Sequence, residues 1–297
     1  RPGRLEDFGL PLPKDYALSD LKNRDLDKEM LYNREEEREK AFDKRASMYP
    51  AQALAHDGIL AAVDAERPGC FFIDGPGGAG KTFLYETLLH RVRSQGHIAL
   101  ACSWSGIAAV LLEGGRTCHS RFGLPVPLPR EAVCSSIKAQ RNRAEVLWRA
   151  RLLVWDEAPM APREALECVD MLLRDLMSSD LPFGGKVMVL GGDFRQVLPV
   201  MPHSTREDIV SHSIKAHPLW LRGFVSVHHL DSNMRAKGDA EWRQYLLEIG
   251  DGAAPVCEEV SPFAIRVPDK ILAPPDWTAR DLVRHVFPGL AAAAEQG

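Results

Sequence analysis

"GPGGAGKT" occupies Gly75–Thr82, one residue after the apolar run Cys70-Phe71-Phe72-Ile73. Glycines, a lysine and a hydroxyl packed so closely make a poor core. Their spacing, glycine, four residues, then Gly-Lys-Thr, is that of a phosphate-binding loop between a strand and a helix. Gly75, Pro76, Gly77, Gly78, Ala79 and Gly80 would turn backbone N–H groups inward around a phosphate. The helix starting near Lys81 adds the partial positive charge of its N-terminus. Lys81 is expected to reach the β- and γ-phosphate oxygens of ATP, and the Thr82 hydroxyl to bind Mg²⁺.

Outward from this loop, apolar runs alternate with helical patterns, which predicts an α/β fold with a mainly parallel sheet. The expected strands are Cys70–Asp74, His97–Cys102, Leu152–Trp155, Lys186–Leu190 and Val225–Leu230. The expected helices are Lys81–Ser94, Gly106–Leu112, Arg163–Met177 and Ala240–Ile249. Three prolines and then basic residues interrupt the pattern, which predicts an insertion or long connection over 123–151. The basic residues there (Lys138, Arg141, Arg143, Arg149, Arg151) read as a solvated helix face rather than as phosphate contacts.

Four further stretches carry possible chemistry. In "LLVWDEAPM", Leu152–Met160, Asp156 and Glu157 emerge at the carboxyl end of a buried strand, where open α/β sheets bind ligands. Asp156 is expected to hold Mg²⁺ and Glu157 to accept a proton from the attacking water. In "VMVLGGDFRQVLPV", Val187–Val200, Gln196 is placed to contact the γ-phosphate or that water. "SWSGIAA" (Ser103–Ala109) and "TCHSRFG" (Thr117–Gly123) offer backbone and hydroxyl donors to a sugar–phosphate chain, with Trp104, His119 and Phe122 as stacking faces for bases. In "LDSNMR", Leu230–Arg235, the arginine follows a strand and could act as an arginine finger.

The 297-residue chain is 45% hydrophobic and 26% charged, ordinary for a globular protein. Six scattered cysteines without a C-x-x-C pair argue against a disulfide framework or a zinc site, and for a reducing compartment. The ten histidines show no metal-ligand spacing. No apolar run approaches a membrane span. With net charge −4, any nucleic-acid binding must come from a local groove, dependent on salt and with little sequence preference. Arg1–Lys14 reads as an irregular lead-in. Ser19–Arg45 reads as a charged, exposed helical face rather than a partner-binding arm, with Leu26, Met30 and Leu31 at helical spacing. Ala291–Ala294 reads as a frayed tail.

In this order the blocks resemble the Pif-type DNA helicases of superfamily 1, most closely the branch carried by Helitron transposons. The resemblance implies a RecA-like P-loop NTPase that moves 5′→3′ on single-stranded DNA, in a nucleus, with roles in repair, recombination, telomere maintenance or transposition. It assigns Gln52 to adenine, Lys81 and Thr82 to phosphate and magnesium, and Asp156 and Glu157 to the Asp-Glu pair. Gln196 matches the sensor and Arg235 the finger, while Ser105, Gly106 and His119 fall where the family contacts DNA. Trp104 stands where the family has a small residue, and Tyr49-Pro50-Ala51-Gln52 replaces its Leu-Asn-x-x-Gln. The expected organisation is a lead-in and charged helix over 1–48, the ATPase domain over 49–252 and an extension over 253–297, with the second RecA-like domain to be supplied by a longer chain. The alternatives weighed are a P-loop phosphotransferase such as a nucleoside kinase, and an inactive transposon-derived remnant that binds nucleic acid.

Overall fold

Period-two alternation in the apolar runs decides which face of the sheet each side chain enters. The computed structural model of the chain describes residues 23–129, 134–138, 142–236, 238–257, 260–261 and 263–289. The lead-in, the start of the charged run, Arg141 and the alanine-rich end lie outside these residues. Along β1 (Gly69–Asp74), Cys70 and Phe72 enter one core, while Ile73 enters the other with Phe71 packed against it. β2 (Ile98–Ser103) does the same with Leu100 and Cys102 against Ala99 and Ala101. β4 (Ala150–Asp156) and β5 (Val187–Gly192) divide likewise. With the two-residue β3 (Arg116–Thr117) and with β6 (Val225–His229) they form one sheet, ordered β3-β2-β4-β5-β1-β6. Every pairing is parallel, so both faces need covering.

Helices α3 (Pro50–Asp64) and α4 (Lys81–Ser94) cover one face through Ile59, Val63, Leu84, Leu88 and Val92. The other face is covered by α6 (Cys118–Phe122), α7 (Asn142–Arg149) and α8 (Arg163–Met177), after the short α5 (Gly106–Val110). On α8, Leu166, Val169 and Leu173 recur at helical spacing, and all are buried. Short helices α9 (Arg206–Ser211) and α10 (Pro218–Leu221) precede β6. The expected strands and helices are found with ends shifted by a residue or two. The segment expected as an insertion contributes Leu124 and Ile137 to the core and ends in α7 and the start of β4. Arg149 and Arg151 within it pair with Glu145 and Glu66.

The charged N-terminal run departs from expectation. It forms two helices, α1 (Arg24–Met30) and α2 (Arg34–Ala46), with Asn33 capping the second. They are docked, not merely solvated. Glu29, 9% exposed, meets Arg121 of α6 at 3.3 Å, and Glu37, 2% exposed, meets His90 of α4 at 2.8 Å. Arg116 binds Asp25 at 2.7 Å, and Arg93 lies 3.9 Å from the Tyr32 ring centroid. Charged residues were read as solvent-facing, but here their partners sit on elements far along the chain.

The chain divides into two compact units, Arg1–Ala240 and Glu241–Gly297. The second holds most of α11 (Ala240–Asp251), an antiparallel bridge between Val256 and Ile265, and α12 (Ala279–Val286), capped by Thr278. Among the described residues no helix is long and apolar enough to cross a membrane.

Candidate functional site

The carboxyl ends of β1, β4 and β5 bring the expected residues to one edge of the sheet. The loop Gly75–Gly80 leaves β1 and enters α4, with Gly78 and Gly80 at φ +85° and +77°, a region that favours glycine. Lys81 Nζ donates to the carbonyls of Gly75 at 2.6 Å and Pro76 at 3.3 Å, so the ammonium lies across the loop it follows. The Tyr49 hydroxyl donates to the Ala79 carbonyl at 2.9 Å, and burial pushes that phenol up to about 12. Gln52, 3% exposed, donates Nε2 to the Gly80 carbonyl at 3.1 Å and accepts from the Tyr49 N–H at 3.3 Å. Both ends of its amide are therefore held by backbone. Gln52 thus braces the loop in this conformation, beside the motif to which the resemblance assigns it.

Asp156 ends β4, 7% exposed. Burial first, and the Glu157 carboxylate second, push its carboxyl up to about 6, against the pull of Lys81. The Tyr85 hydroxyl, fully buried, faces the same carboxylate without completing a hydrogen bond, and neither it nor Asp156 Oδ1 has a bonded partner. Glu157 stands at φ +53°, a strained conformation for a side-chain-bearing residue and one that recurs at functional sites. The two glycines ending β5 make room for this corner. A Cβ on Gly192 would lie 2.4 Å from Pro159, and one on Gly191 would overlap the Tyr85 hydroxyl. Beyond them Asp193, 5% exposed, accepts from Arg195 Nε at 2.8 Å and from Gln196 Nε2 at 3.2 Å, which fixes the turn that carries Gln196.

Arg235 reaches the same loop from the far side of the sheet. After β6, the Met234 N–H donates to the Gly78 carbonyl at 2.8 Å. A Cβ on Gly78 would sit 2.6 Å from Asn233 Oδ1 and 3.0 Å from Arg235 Cγ. The exposed guanidinium is thus anchored beside the phosphate loop. Asn233 sets the turn by accepting from the Arg235 N–H at 3.0 Å and the Ala236 N–H at 3.2 Å.

The expected nucleic-acid residues cluster at the end of β2. Ser105 caps α5 by accepting from the Ala108 N–H at 3.2 Å, and Gly106 beside it is open. His119, in α6, lies with its ring 4.6 Å from that of Trp104. Phe122 does not join them. It is 1% exposed, with its ring 5.9 Å from the buried Trp155, so it is a core residue and no base can stack on it. Trp104, half-buried, is the aromatic left at this edge.

The cradle of left-handed glycines, a cation across it and a buried carboxylate oxygen with no partner fit a nucleoside triphosphate and its divalent ion. The model of the PIF1-like helicase family matches residues 47–259. The chain belongs to that family. It is 34% identical over 150 residues to the ATP-dependent DNA helicase Pif1 of Bdellovibrio bacteriovorus, covering 50% of this chain and 33% of that one. It is 31% identical over 163 residues to the ATP-dependent DNA helicase RRM3 of Saccharomyces cerevisiae, covering 53% and 22%. Among solved structures, Bacteroides Pif1 bound to single-stranded DNA aligns with a TM-score of 0.56 at 25% identity, covering 66% of this chain and 46% of that one. The chain therefore spans a third or less of these curated relatives. Nothing in these likenesses separates the Helitron branch from the rest of the PIF1-like family.

Sequence reading missed Tyr49, Tyr85, Asp193 and Asn233. Tyr49, Asp193 and Asn233 hold a motif residue or its loop, and Tyr85 faces Asp156 from the core. The one signal available was proximity, since Asp193 and Asn233 lie three and two residues before Gln196 and Arg235.

Proposed function

We propose that this chain is the nucleotide-binding half of an ATP-dependent 5′→3′ DNA helicase that couples hydrolysis to movement on single-stranded DNA. The observation that carries the reading is Arg235 packed against Gly78, while Asp156 and Glu157 end the strand two places from β1 in the same sheet. Lys81 neutralises phosphate charge. Glu157 takes the proton of the attacking water, Gln196 orients that water, and Arg235 meets the charge that develops on the transferred group. Thr82 and Asp156 would hold Mg²⁺, which when bound offsets phosphate charge.

Single-stranded DNA is the proposed partner, bound at Ser105, Gly106 and His119. A second RecA-like domain is the proposed other wall of the nucleotide cleft, because the described residues contain one sheet. A nucleus is the proposed place of action, in keeping with the yeast relative and with cysteines that form no disulfide among the described residues.

ATP turnover with and without single-stranded DNA tests this reading. Phosphate should pass to water alone and turnover should rise with DNA. Glu157→Gln should keep nucleotide binding and lose about 10²–10⁴ in rate. Transfer of phosphate to a nucleoside would favour the kinase alternative, and no turnover even with the second domain supplied would favour the inactive remnant.

A further inference from the structure

A cavity of about 310 Å³ opens at the carboxyl edge of the sheet, lined by Trp104, His119, Met160, Glu164, Leu198 and His212 together with four prolines. Its size lies near the lower end of the roughly 300–1,000 Å³ of small-molecule pockets. That suits one planar ring system and is too small for a helix or strand.

Its chemistry is more selective than its size. The indole of Trp104 lies nearly parallel to that of buried Trp155, at 12° with centroids 6.3 Å apart, so the core sets its orientation. No lysine or arginine lines the cavity, and a carboxylate does. Phosphate is therefore disfavoured, whereas a neutral ring bearing N–H donors is favoured. Glu164 Oε1 accepts from Arg163 Nε at 3.1 Å and lies 3.5 Å from His212. Oε2 takes no hydrogen bond among the described residues. A carboxylate oxygen accepts, so it recognises an exocyclic amine and repels the two carbonyls that flank the N3–H of thymine. Burial holds the His119 imidazole below its usual pKa, which keeps that wall uncharged near pH 7.

Placement supplies the occupant. Trp104 immediately precedes Ser105 and Gly106, the residues assigned to the strand's backbone. Met160 lies three residues after Glu157 and Leu198 two after Gln196. His119 lines the cavity, so a strand bound at Ser105 and His119 would pass beside it.

We propose that the cavity receives one unstacked nucleobase of the bound strand, seated against Trp104 with an amine-bearing edge toward Glu164. The proposal rests on the single-strand reading above and qualifies it. Backbone contacts supply sequence-independent affinity, while this pocket favours cytosine and the amine-bearing purines over thymine.

The test measures affinity of the 297-residue chain for oligo-dC and oligo-dT by fluorescence anisotropy at fixed salt, with a dT strand carrying one 2-aminopurine as a stacking probe. Oligo-dC should bind about fivefold or more tighter than oligo-dT, the low end for a base-edge hydrogen bond. Trp104→Ala should weaken dC binding by about 5- to 150-fold, the range for loss of one stacked base, and abolish 2-aminopurine quenching. Trp104→Phe, which keeps a ring, should restore part of both. The nearly isosteric Glu164→Gln should erase the dC preference. Equal affinity for dC and dT, or a preference and quenching unchanged in folded Trp104→Ala and Glu164→Gln, would overturn the pocket and leave the strand reading standing. No binding of either strand at low salt would overturn both.

Discussion

Asp156→Asn should make the nucleotide-free protein more stable while it weakens Mg·ATP binding. The magnitude follows from the carboxyl's displacement from 3.8 to about 6, caused mainly by burial. A displacement of about two pH units corresponds to roughly 3 kcal/mol between protonation states. Because the acid's pKa is raised on folding, the native state holds the proton more tightly. Stability is lost as pH rises through the window from 3.8 to about 6, and the full penalty is present above it. Asparagine escapes that penalty at every pH. The variant's advantage should be about 3 kcal/mol at pH 7.5 and fall to about half by pH 5, where most native Asp156 is already protonated. At about 2–4 °C per kcal/mol for a unit of this size, Tm should rise by roughly 6–12 °C at pH 7.5. Calorimetry or urea titration in EDTA at the two pH values measures it, and the difference from the parent cancels the other titrating groups. A variant less stable than the parent, or an advantage that grows as pH falls, would refute the reasoning.

Gly78→Ala should destabilise the protein by about 1–3 kcal/mol, since it combines a left-handed backbone with a side chain at the Asn233–Arg235 turn. Nucleotide affinity or turnover should fall with it, and a variant normal in both would show that the turn does not need to touch the loop. Glu29→Ala should lose about 3–5 kcal/mol by leaving the buried Arg121 guanidinium uncompensated. The double variant Glu29→Leu with Arg121→Met should recover most of that in urea unfolding, and an equally damaged double variant would count against the ion pair as the cause.

The sheet was legible because parallel strands buried on both faces appear as short apolar runs, and the phosphate loop fixed which run came first. Lys81, Asp156, Glu157, Gln196 and Arg235 were legible for a related reason. All five lie at or shortly after the carboxyl ends of strands β1, β4, β5 and β6, and strand ends can be counted. What the sequence hid is which side of an element faces water. Trp104 and Phe122 are both aromatics beside polar loop residues, yet one reaches the edge and the other packs on Trp155. The N-terminal charges misled in the same way. Glu29 and Glu37 look like their solvated neighbours until Arg121 and His90 arrive from helices that follow much later. Gln52 was found at the right loop, but its spacing could not reveal that backbone groups hold both ends of its amide.

Ser103 carries this distinction to a place where it can be measured. It ends β2, is fully buried and lies in register beside Asp156, which β4 presents at the same level. Its hydroxyl has no hydrogen-bond partner, and the same holds for the nearby Trp155 indole N–H and the Tyr85 hydroxyl. In the first unit the other unpaired buried atoms, apart from Asp156 Oδ1 at this same edge, belong to side chains bonded through another atom. Arg121 still donates to the Gly114 carbonyl, and Gln95 to Asp64. Partnerless polar side chains thus gather where the nucleotide and strand residues meet. If that edge is built for chemistry at the expense of stability, Ser103→Ala should leave the nucleotide-free fold unchanged or make it more stable by about 1 kcal/mol, because no bond is lost and an unpaired hydroxyl is removed. DNA-stimulated turnover should fall in the same variant. A loss of stability above about 1 kcal/mol would mean that the hydroxyl is bonded in solution, and the edge would then be an ordinary satisfied core.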